Sequence, residues 1–399
     1  MIQTTLTQIK DNIVVVGGGP VGSVLALLLA KQGLAVTVLE ARKQGASHTD
    51  NRALALSYGS RRLLEKLGLW LQLAPHATAI NTIHVSQKNS IGRTLLKAGD
   101  YQQEALGYVL TYGALSAALD LALSSQASVN VVFNANAQRI THQAGHVTVS
   151  YSHAGDVHSL QSVLVVLADG GRSLNELAQL TRETKNYGHD ALITKVSAEL
   201  PHHNIAYERF TTNGPMALLP NGEHDFSLVW TGKKEYITPL LTLSDADFLA
   251  RFHQQFGDRV GMFLRVEKRV SFPLKMSQLK PAELNAPEIA NLVVIGNAAQ
   301  TMHPVAGQGF NVGLRDAESL AEHIASNVDE AIGSLEMLAS YRASRKSDTQ
   351  GGLLFTDFLV NIFSNEVIGI AGLRGASLGL LDVIKPIKKL LVGKMSFGK

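Results

Sequence analysis

The stretch from Ile13 to Glu40 confines this chain to a narrow set of folds. Ile13-Val14-Val15-Val16 is an unbroken apolar, β-branched run, the pattern of a parallel strand buried on both faces. Gly17-Gly18-Gly19-Pro20-Val21-Gly22 follows at once and fits G-x-G-x-x-G through Gly17, Gly19 and Gly22. The apolar run Val21 to Ala30 then predicts a helix, Gly33 ends it, and Ala35-Val36-Thr37-Val38-Leu39 predicts a second strand closing with Glu40. In such a unit the glycines let backbone meet a pyrophosphate at the helix N-terminus, where unpaired N–H groups and the positive dipole end point outward. Glu40 has the spacing of the acidic group that accepts from a ribose hydroxyl. Dinucleotide binding is therefore expected, and the unit alone does not separate FAD from NAD.

A second feature lies far along the chain, in the 26 residues from Ile295 to Leu320. A strand runs into Gly296, a loop holds Pro304, and Gly307, Gly309 and Gly313 open an apolar helix. Glycines without a Cβ make a backbone surface that a flat ligand can approach closely, and the helix start stabilises partial negative charge in front of it. A reduced flavin carries such charge on its pyrimidine edge. The third feature is Val163 to Ala168 ending in Asp169-Gly170-Gly171-Arg172-Ser173, a strand whose terminal Asp faces the crevice where open α/β sheets bind ligands. Taken alone it also reads as an ordinary Asp-Gly turn.

In this order and spacing the three segments resemble the class A flavoprotein monooxygenases, the para-hydroxybenzoate hydroxylase-like family, over nearly the whole length. Gly296-Asn297-Ala298-Ala299-Gln300-Thr301-Met302-His303-Pro304 and Ala306 to Asn311 look like the ubiquinone-biosynthesis hydroxylases within it. Arg52 to Leu56 with Gly59-Ser60, Leu106 to Val109, and Tyr207-Glu208-Arg209-Phe210 with Gly214-Pro215 and Leu218-Leu219-Pro220 support that narrower match. One departure stands out: Asn297 occupies the place where most of the broad family carries Asp, and Gln300 a place where many have His. Asn keeps an acceptor and adds donors, so contact with a ribityl hydroxyl survives while a negative charge is lost.

The resemblance implies an FAD-dependent enzyme that uses NAD(P)H and O₂ and hydroxylates an aromatic ring through a hydroperoxyflavin. It implies FAD contacts from Gly17, Gly19, Gly22, Glu40, Arg42, Arg52, Asp169, Asn297, Gly307, Gln308, Gly309 and Asn311, with Arg52, His303 and Pro304 at the reacting edge. The implied substrate is a 2-polyprenyl-6-methoxyphenol converted to the 1,4-benzoquinol. Water must be kept from such a site, or hydrogen peroxide is released in place of product. No second dinucleotide fingerprint is present, so NAD(P)H is expected to bind transiently. The residues do not identify the base that activates the phenol. Two rivals remain at this stage: a flavin hydroxylase for another ring position or phenol, and a flavin-holding subunit of a quinone-biosynthesis complex that does no chemistry. Trp occurs only at 70 and 230, without the Trp-x-Trp of tryptophan-type halogenases.

Composition excludes other classes. The 399-residue chain has no cysteine, hence no disulfide, thiolate metal site or thiol nucleophile. Its 14 histidines show no H-x-x-x-H or H-E-x-x-H pattern, and no metal is expected. A net charge of +3 is too small and dispersed to point to nucleic acid. No signal peptide and no apolar run of ~18 residues are seen, so a cytoplasmic location is expected, with peripheral membrane contact.

The dispersed motifs call for an α/β fold with a discontinuous Rossmann-like FAD-binding domain from segments 1–75, 106–175 and 276–345. Between them, 76–105 and 176–275 are expected to form an antiparallel substrate sheet, and 346–399 a helical C-terminal region. Arg342, Arg345 and Lys346 read as a solvated helix face. From Val383 onward Lys385, Lys388, Lys389, Lys394 and Lys399 alternate with apolar residues, a cationic tail suited to an anionic leaflet or to proteins of a quinone-biosynthesis complex, although Pro386 limits a single helix there.

Overall fold

The computed structural model describes residues 12–90, 92–143, 145–172, 174, 180, 182–279, 290–301, 308–326, 331–346, 348 and 385–398. The apolar run at the N-terminus is the centre of a five-stranded parallel sheet. Its order is Leu292–Val294, Leu164–Leu167, Asn12–Val16, Ala35–Glu40, Val129–Phe133, so the first strand in the chain lies in the middle. Strands covered on both faces have no need of polar alternation, and Ile13, Val14, Val15, Leu164, Val165, Val166 and Leu167 are fully buried. The reversal of strand order beside Asn12–Val16 opens a crevice at the carboxyl ends of the strands. Gly17, Glu40, Asp169 and Gly296 all lie there.

Helices Pro20–Lys31 and Gln308–Ser326 pack against one another on one face of this sheet. Gly313 explains how closely: a Cβ there would lie 2.9 Å from Val21 Cγ2 and 3.2 Å from Gly296 Cα. The sequence suggests a ligand-facing role for Gly313, whereas in the structure it fits one helix against the other.

The second large unit is a mixed, mostly antiparallel sheet built from three separated stretches. Its order is Gln300–Thr301, Val270–Leu279, Arg182–Ala198, Asp225–Lys233, Gly214–Pro220, Ile205–Thr211, Thr82–Gln87 and Arg93–Lys97, with Phe263–Val266 also paired to Arg182–Ala198. One face buries Trp230, Phe226, Phe248, Phe252 and Phe256 beneath helix Asp245–Phe256. Two short sheets complete the fold: Ala53–Ser57 with Gly107–Thr111 and Thr78–Ile80, and a meander over Asn136–Ser162.

The C-terminal helix Lys385–Phe397 starts with Pro386 in its first turn, where a missing N–H costs nothing. It lies on helix Tyr58–Lys66: Val392 joins a buried cluster with Leu96, Ala98 and Leu106, and Phe397 meets Tyr58 edge to face. Lys388 is buried and Lys389 exposed. No helix among the described residues is long and apolar enough to cross a membrane.

Candidate cofactor and substrate site

The three fingerprint glycines have three different physical reasons. Gly17 has φ +107°, and a Cβ there would lie 2.7 Å from Asp169 Cα, so it lets two strand ends meet. A Cβ on Gly22 would lie 2.1 Å from the Gly17 carbonyl oxygen, so its role is helix-to-strand packing. Gly19 alone faces open space, its nearest neighbour for a Cβ being Tyr112 Oη at 3.7 Å. Gly19 is the N-cap of helix Pro20–Lys31, no side chain caps that end, and its first turn holds no acid. A helix start with free donors and space before it is an anion site, which fits a pyrophosphate.

Glu40 is buried and its carboxylate is heavily engaged. The Gly18 N–H donates to Oε2 at 2.8 Å, and Arg42 donates to Oε1 from its backbone N and Nε at 2.8 Å each and to Oε2 from Nη2 at 3.0 Å. Burial pushes this carboxyl up, but the Arg42 and Gly18 bonds outweigh it and hold it below the ordinary carboxylate value. With roughly four lone-pair directions on a carboxylate, a ribose hydroxyl reaches Glu40 by taking over one of the Arg42 bonds. Arg52 is paired with Asp50 at 2.6 Å and lies over the Tyr112 ring at 5.2 Å, with its side chain largely exposed. Tyr112, absent from the sequence expectations, thus stands between Arg52 and the Gly19 opening. Only its place after a strand end at Thr111 hints at this.

On the other side of the crevice, Asp169 accepts from the Gly171 N–H at 2.8 Å, a turn that closes on itself. Arg182, also unforeseen, fits against Gly171, where a Cβ would come within 2.7 Å of Nη1, and donates to the Asn297 carbonyl at 3.0 Å. The arginine thereby joins the Asp169 turn to the Gly296 turn. The Asn297 residue itself is exposed.

Beneath Gly296 lies an ion network that includes Arg345, which the sequence reading places on a solvated helix face. The Gly296 N–H, at φ +61°, donates to Asp316 Oδ2 at 3.1 Å, and Asp316 Oδ1 accepts from Arg345 Nε at 2.8 Å. Arg345 also bonds Asp348 at 2.6 Å, and Arg315 pairs with Asp348 at 2.7 Å. Burial pushes the Asp316 carboxyl up against the pull of Arg345. Arg345, half-buried, is therefore a strut of the Gly296 turn, a correction to the expected solvated face. Helical periodicity around it is obscured because its partners are 29 and 3 residues away.

Asn311 is buried and turned to the protein. Its Oδ1 accepts from Ser57 N at 2.8 Å and Ser60 Oγ at 2.7 Å, and its Nδ2 donates to Ala55 O at 2.9 Å. It ties the start of helix Gln308–Ser326 to strand Ala53–Ser57. Gly309 lies half-buried in the first turn of that helix. His303, Pro304, Gly307 and the Gln308 side chain lie outside the described residues.

The sheet face opposite the aromatic core forms an apolar wall. Register places Val85, Glu208, Ala217, Val229 and Ile193 in one row across five strands. All five are half-buried, while Ser86, Arg209, Leu218, Leu228 and Leu192 on the opposite face are buried. Beside the row, Ala206 packs with Ile80 and Val109 of the small sheet that also holds Ala53. The wall therefore fronts the strand that follows Arg52.

A family described as FAD binding domain matches residues 10–351. The ubiquinone hydroxylase UbiL of Rhodospirillum rubrum is 33% identical over 96% of this chain and 88% of its own. The 3-demethoxyubiquinol 3-hydroxylase of Escherichia coli K12 is 28% identical over 94% of this chain and 95% of its own. Among solved structures, p-nitrophenol 4-monooxygenase PnpA from Pseudomonas putida DLL-E4 superposes with a TM-score of 0.77 at 19% identity, over 97% of this chain and 99% of that one. The last likeness speaks for the fold.

Proposed function

We propose, proceeding from the fact that this chain belongs to the family of FAD-binding flavoprotein monooxygenases, that it hydroxylates a polyprenylated phenol of ubiquinone biosynthesis. The reaction would convert 2-polyprenyl-6-methoxyphenol to 2-polyprenyl-6-methoxy-1,4-benzoquinol. The observation that carries this reading is the likeness to the ubiquinone hydroxylase UbiL over 96% of the chain, and the Asn297-Ala298-Ala299-Gln300 variant narrows it to the methoxyphenol step. FAD, when bound, supplies oxygen activation with electrons drawn from NAD(P)H.

The chain's own residues divide the remaining work. The helix start at Gly19 and the cation Arg42 hold the pyrophosphate side; Glu40 takes the ribose, and Arg52 stands at the reacting edge of the ring. The Asp169 and Gly296 turns, locked together by Arg182, place the ribityl chain. The apolar row from Val85 to Ile193 keeps water from the ring and suits a lipid-like substrate, since burying each CH₂ is worth ~0.8 kcal/mol. A tail of that kind is handed over from a membrane or a lipid-holding protein. We infer peripheral contact through the exposed side of helix Lys385–Phe397, and Lys389→Glu should weaken cosedimentation with anionic liposomes at low salt. Unchanged cosedimentation removes this contact.

Mass spectrometry of quinone precursors in lipid extracts from cells lacking the protein, grown with oxygen, tests the assignment. Accumulated polyprenyl-methoxyphenol supports the step named above. The likeness to the 3-demethoxyubiquinol 3-hydroxylase favours one alternative, hydroxylation at another ring position, and accumulation of a precursor lacking a methoxy group would assign that step instead. An unaltered quinone pool places the substrate outside the pathway.

A further inference from the structure

Glu208 is a carboxyl that the cofactor side of the site does not use. In strand Ile205–Thr211, Tyr207 and Arg209 face the aromatic core: Tyr207 meets Phe256 edge to face at 5.4 Å, and Arg209 donates to Gln255 O at 3.0 Å and Ser86 Oγ at 3.3 Å. Strand alternation turns Ala206, Glu208 and Phe210 the other way. Glu208 thereby sits between Val85 and Ala217 in the apolar wall, with Val229 and Ile193 beyond. Gln87, paired with Phe210, is its diagonal neighbour on the same face.

Both polar groups lack partners among the described residues. Gln87 Oε1 is buried without a hydrogen bond, and Glu208 has no hydrogen bond or ion pair among the described residues. Buried polar groups are nearly always satisfied, and the exceptions ask for a ligand or a catalytic reason. By the same alternation this sheet face also carries His189, Lys195, Asp225, Lys233 and Arg265; Lys195 pairs with Asp225 at 2.8 Å and Arg265 reaches the same carboxylate at 4.0 Å, and burial is the cause that shifts Glu208. From the small sheet opposite, Ile80, Val109 and Ala53 face the wall, and none of them titrates. Burial alone accordingly pushes the Glu208 carboxyl up to about 8. A carboxyl with the ordinary value of 4.5 is a poor acceptor for a phenolic proton, whose own value is near ~10. A carboxyl raised by desolvation is better matched. Glu208 also keeps some accessible surface despite this depth, as a group lining an internal cleft does.

We propose that Glu208 takes the hydroxyl proton of the phenol substrate, while the Gln87 amide makes a second polar contact to the oxygens borne by the ring. This rests on the phenol-hydroxylase reading. As the O–H bond breaks, its proton passes to the Glu208 carboxylate and its electrons flow into the ring, so the carbon para to it forms the new C–O bond. That carbon then loses its hydrogen as a proton, aromaticity returns, and the former hydroxyl oxygen takes its proton back from Glu208. The carboxyl ends as it began. O₂ supplies the inserted oxygen and NAD(P)H the two electrons that reduce the second oxygen to water.

The FAD-loaded enzyme and its Glu208→Gln, Glu208→Asp and Gln87→Leu variants should be compared on a short-tailed 2-prenyl-6-methoxyphenol from pH 6 to 9. Expected for Glu208→Gln are retained FAD, a product rate lower by roughly 100-fold, NAD(P)H oxidation diverted to hydrogen peroxide, and loss of a wild-type rise in kcat with an apparent pKa near 8. Glu208→Asp should recover part of the rate together with the pH dependence, which a packing role would not produce. Gln87→Leu should raise KM more than it lowers kcat. A Glu208→Gln enzyme with wild-type rate and pH profile overturns the proposal, as does a slow variant that keeps the wild-type pH profile. A wild-type enzyme inactive on the methoxyphenol overturns the substrate reading, and the proposal with it, and is distinct from both.

Discussion

The crevice that receives the nucleotide and the sheet wall that faces the ring solve opposite problems. On the nucleotide side nearly every polar group is already satisfied from within the chain: Glu40 by Gly18 and Arg42, Asp50 by Arg52, Asp316 by Gly296 and Arg345. A long-lived cofactor is met by a frame rigid before it arrives. On the wall, Glu208 and Gln87 Oε1 have no partner among the described residues. A substrate that enters and leaves is met by groups that only it completes. The difference teaches where to expect stability effects and where chemical ones: substitutions in the frame should act on folding and cofactor retention, and substitutions on the wall on turnover.

The largest effect is expected at Asp316. Asp316→Ala strips Arg345 of one buried partner and the Gly296 turn of its acceptor. Breaking a buried ion pair from one side costs about 3–5 kcal/mol. Denaturant unfolding of the wild type and variant measures this directly; a loss below about 1 kcal/mol, the range of exposed pairs, would show that the network does not hold the turn.

Gly19→Val separates the roles of the fingerprint glycines. A Cβ at Gly19 meets nothing closer than Tyr112 Oη at 3.7 Å, whereas one at Gly22 would lie 2.1 Å from a carbonyl oxygen. Gly19→Val should therefore fold with little change in melting temperature yet emerge without FAD, and Gly22→Val should fail to fold. A yellow, FAD-loaded Gly19→Val protein would mean that the opening before helix Pro20–Lys31 does not hold the pyrophosphate.

These two glycines also mark how far the sequence could be read. The strand, turn, helix, strand unit is contiguous, and its requirements are local backbone ones, so its fold and its dinucleotide binding were legible, while FAD rather than NAD came only with the later segments. Tyr112, Arg182 and Asp316 act through partners brought in by tertiary folding, and nothing in their neighbours signals it. Arg345 misled for the same reason, since a charged residue on a polar helix reads as solvated until its buried partner is known. Glu208 was in view as part of the Tyr207 to Phe210 motif, but strand alternation had to be tied to a particular face before its role emerged. Asn311, expected at the flavin edge, also clamps two elements, which the sequence hid because its partners at Ser57 and Ser60 lie more than 250 residues away.

Arg52 stands where frame and wall meet. Its guanidinium is held by Asp50 and the Tyr112 ring, so Arg52→Ala should leave the fold and bound FAD in place. Product formation should fall by roughly 100-fold if the cation stabilises charge at the reacting edge. Full product yield from the variant would move Arg52 from the reacting edge into the frame.

The last effect is on stability, and it reverses the usual direction for an acid. Burial raises the Glu208 carboxyl from the ordinary 4.5 to about 8. Between those values the folded protein holds a proton that the unfolded chain has released. The native state then binds more protons than the unfolded one, so this residue makes stability fall as pH rises from about 4.5 towards 8. Glu208→Gln has no proton to lose and should escape the decline. Scanning calorimetry should find the variant and wild type melting together near pH 4.5 and the variant melting higher near pH 8. An equal offset at both pH values would mean that Glu208 titrates as an ordinary exposed carboxylate. The wall would then be as fully satisfied as the frame, and the contrast between them would fail.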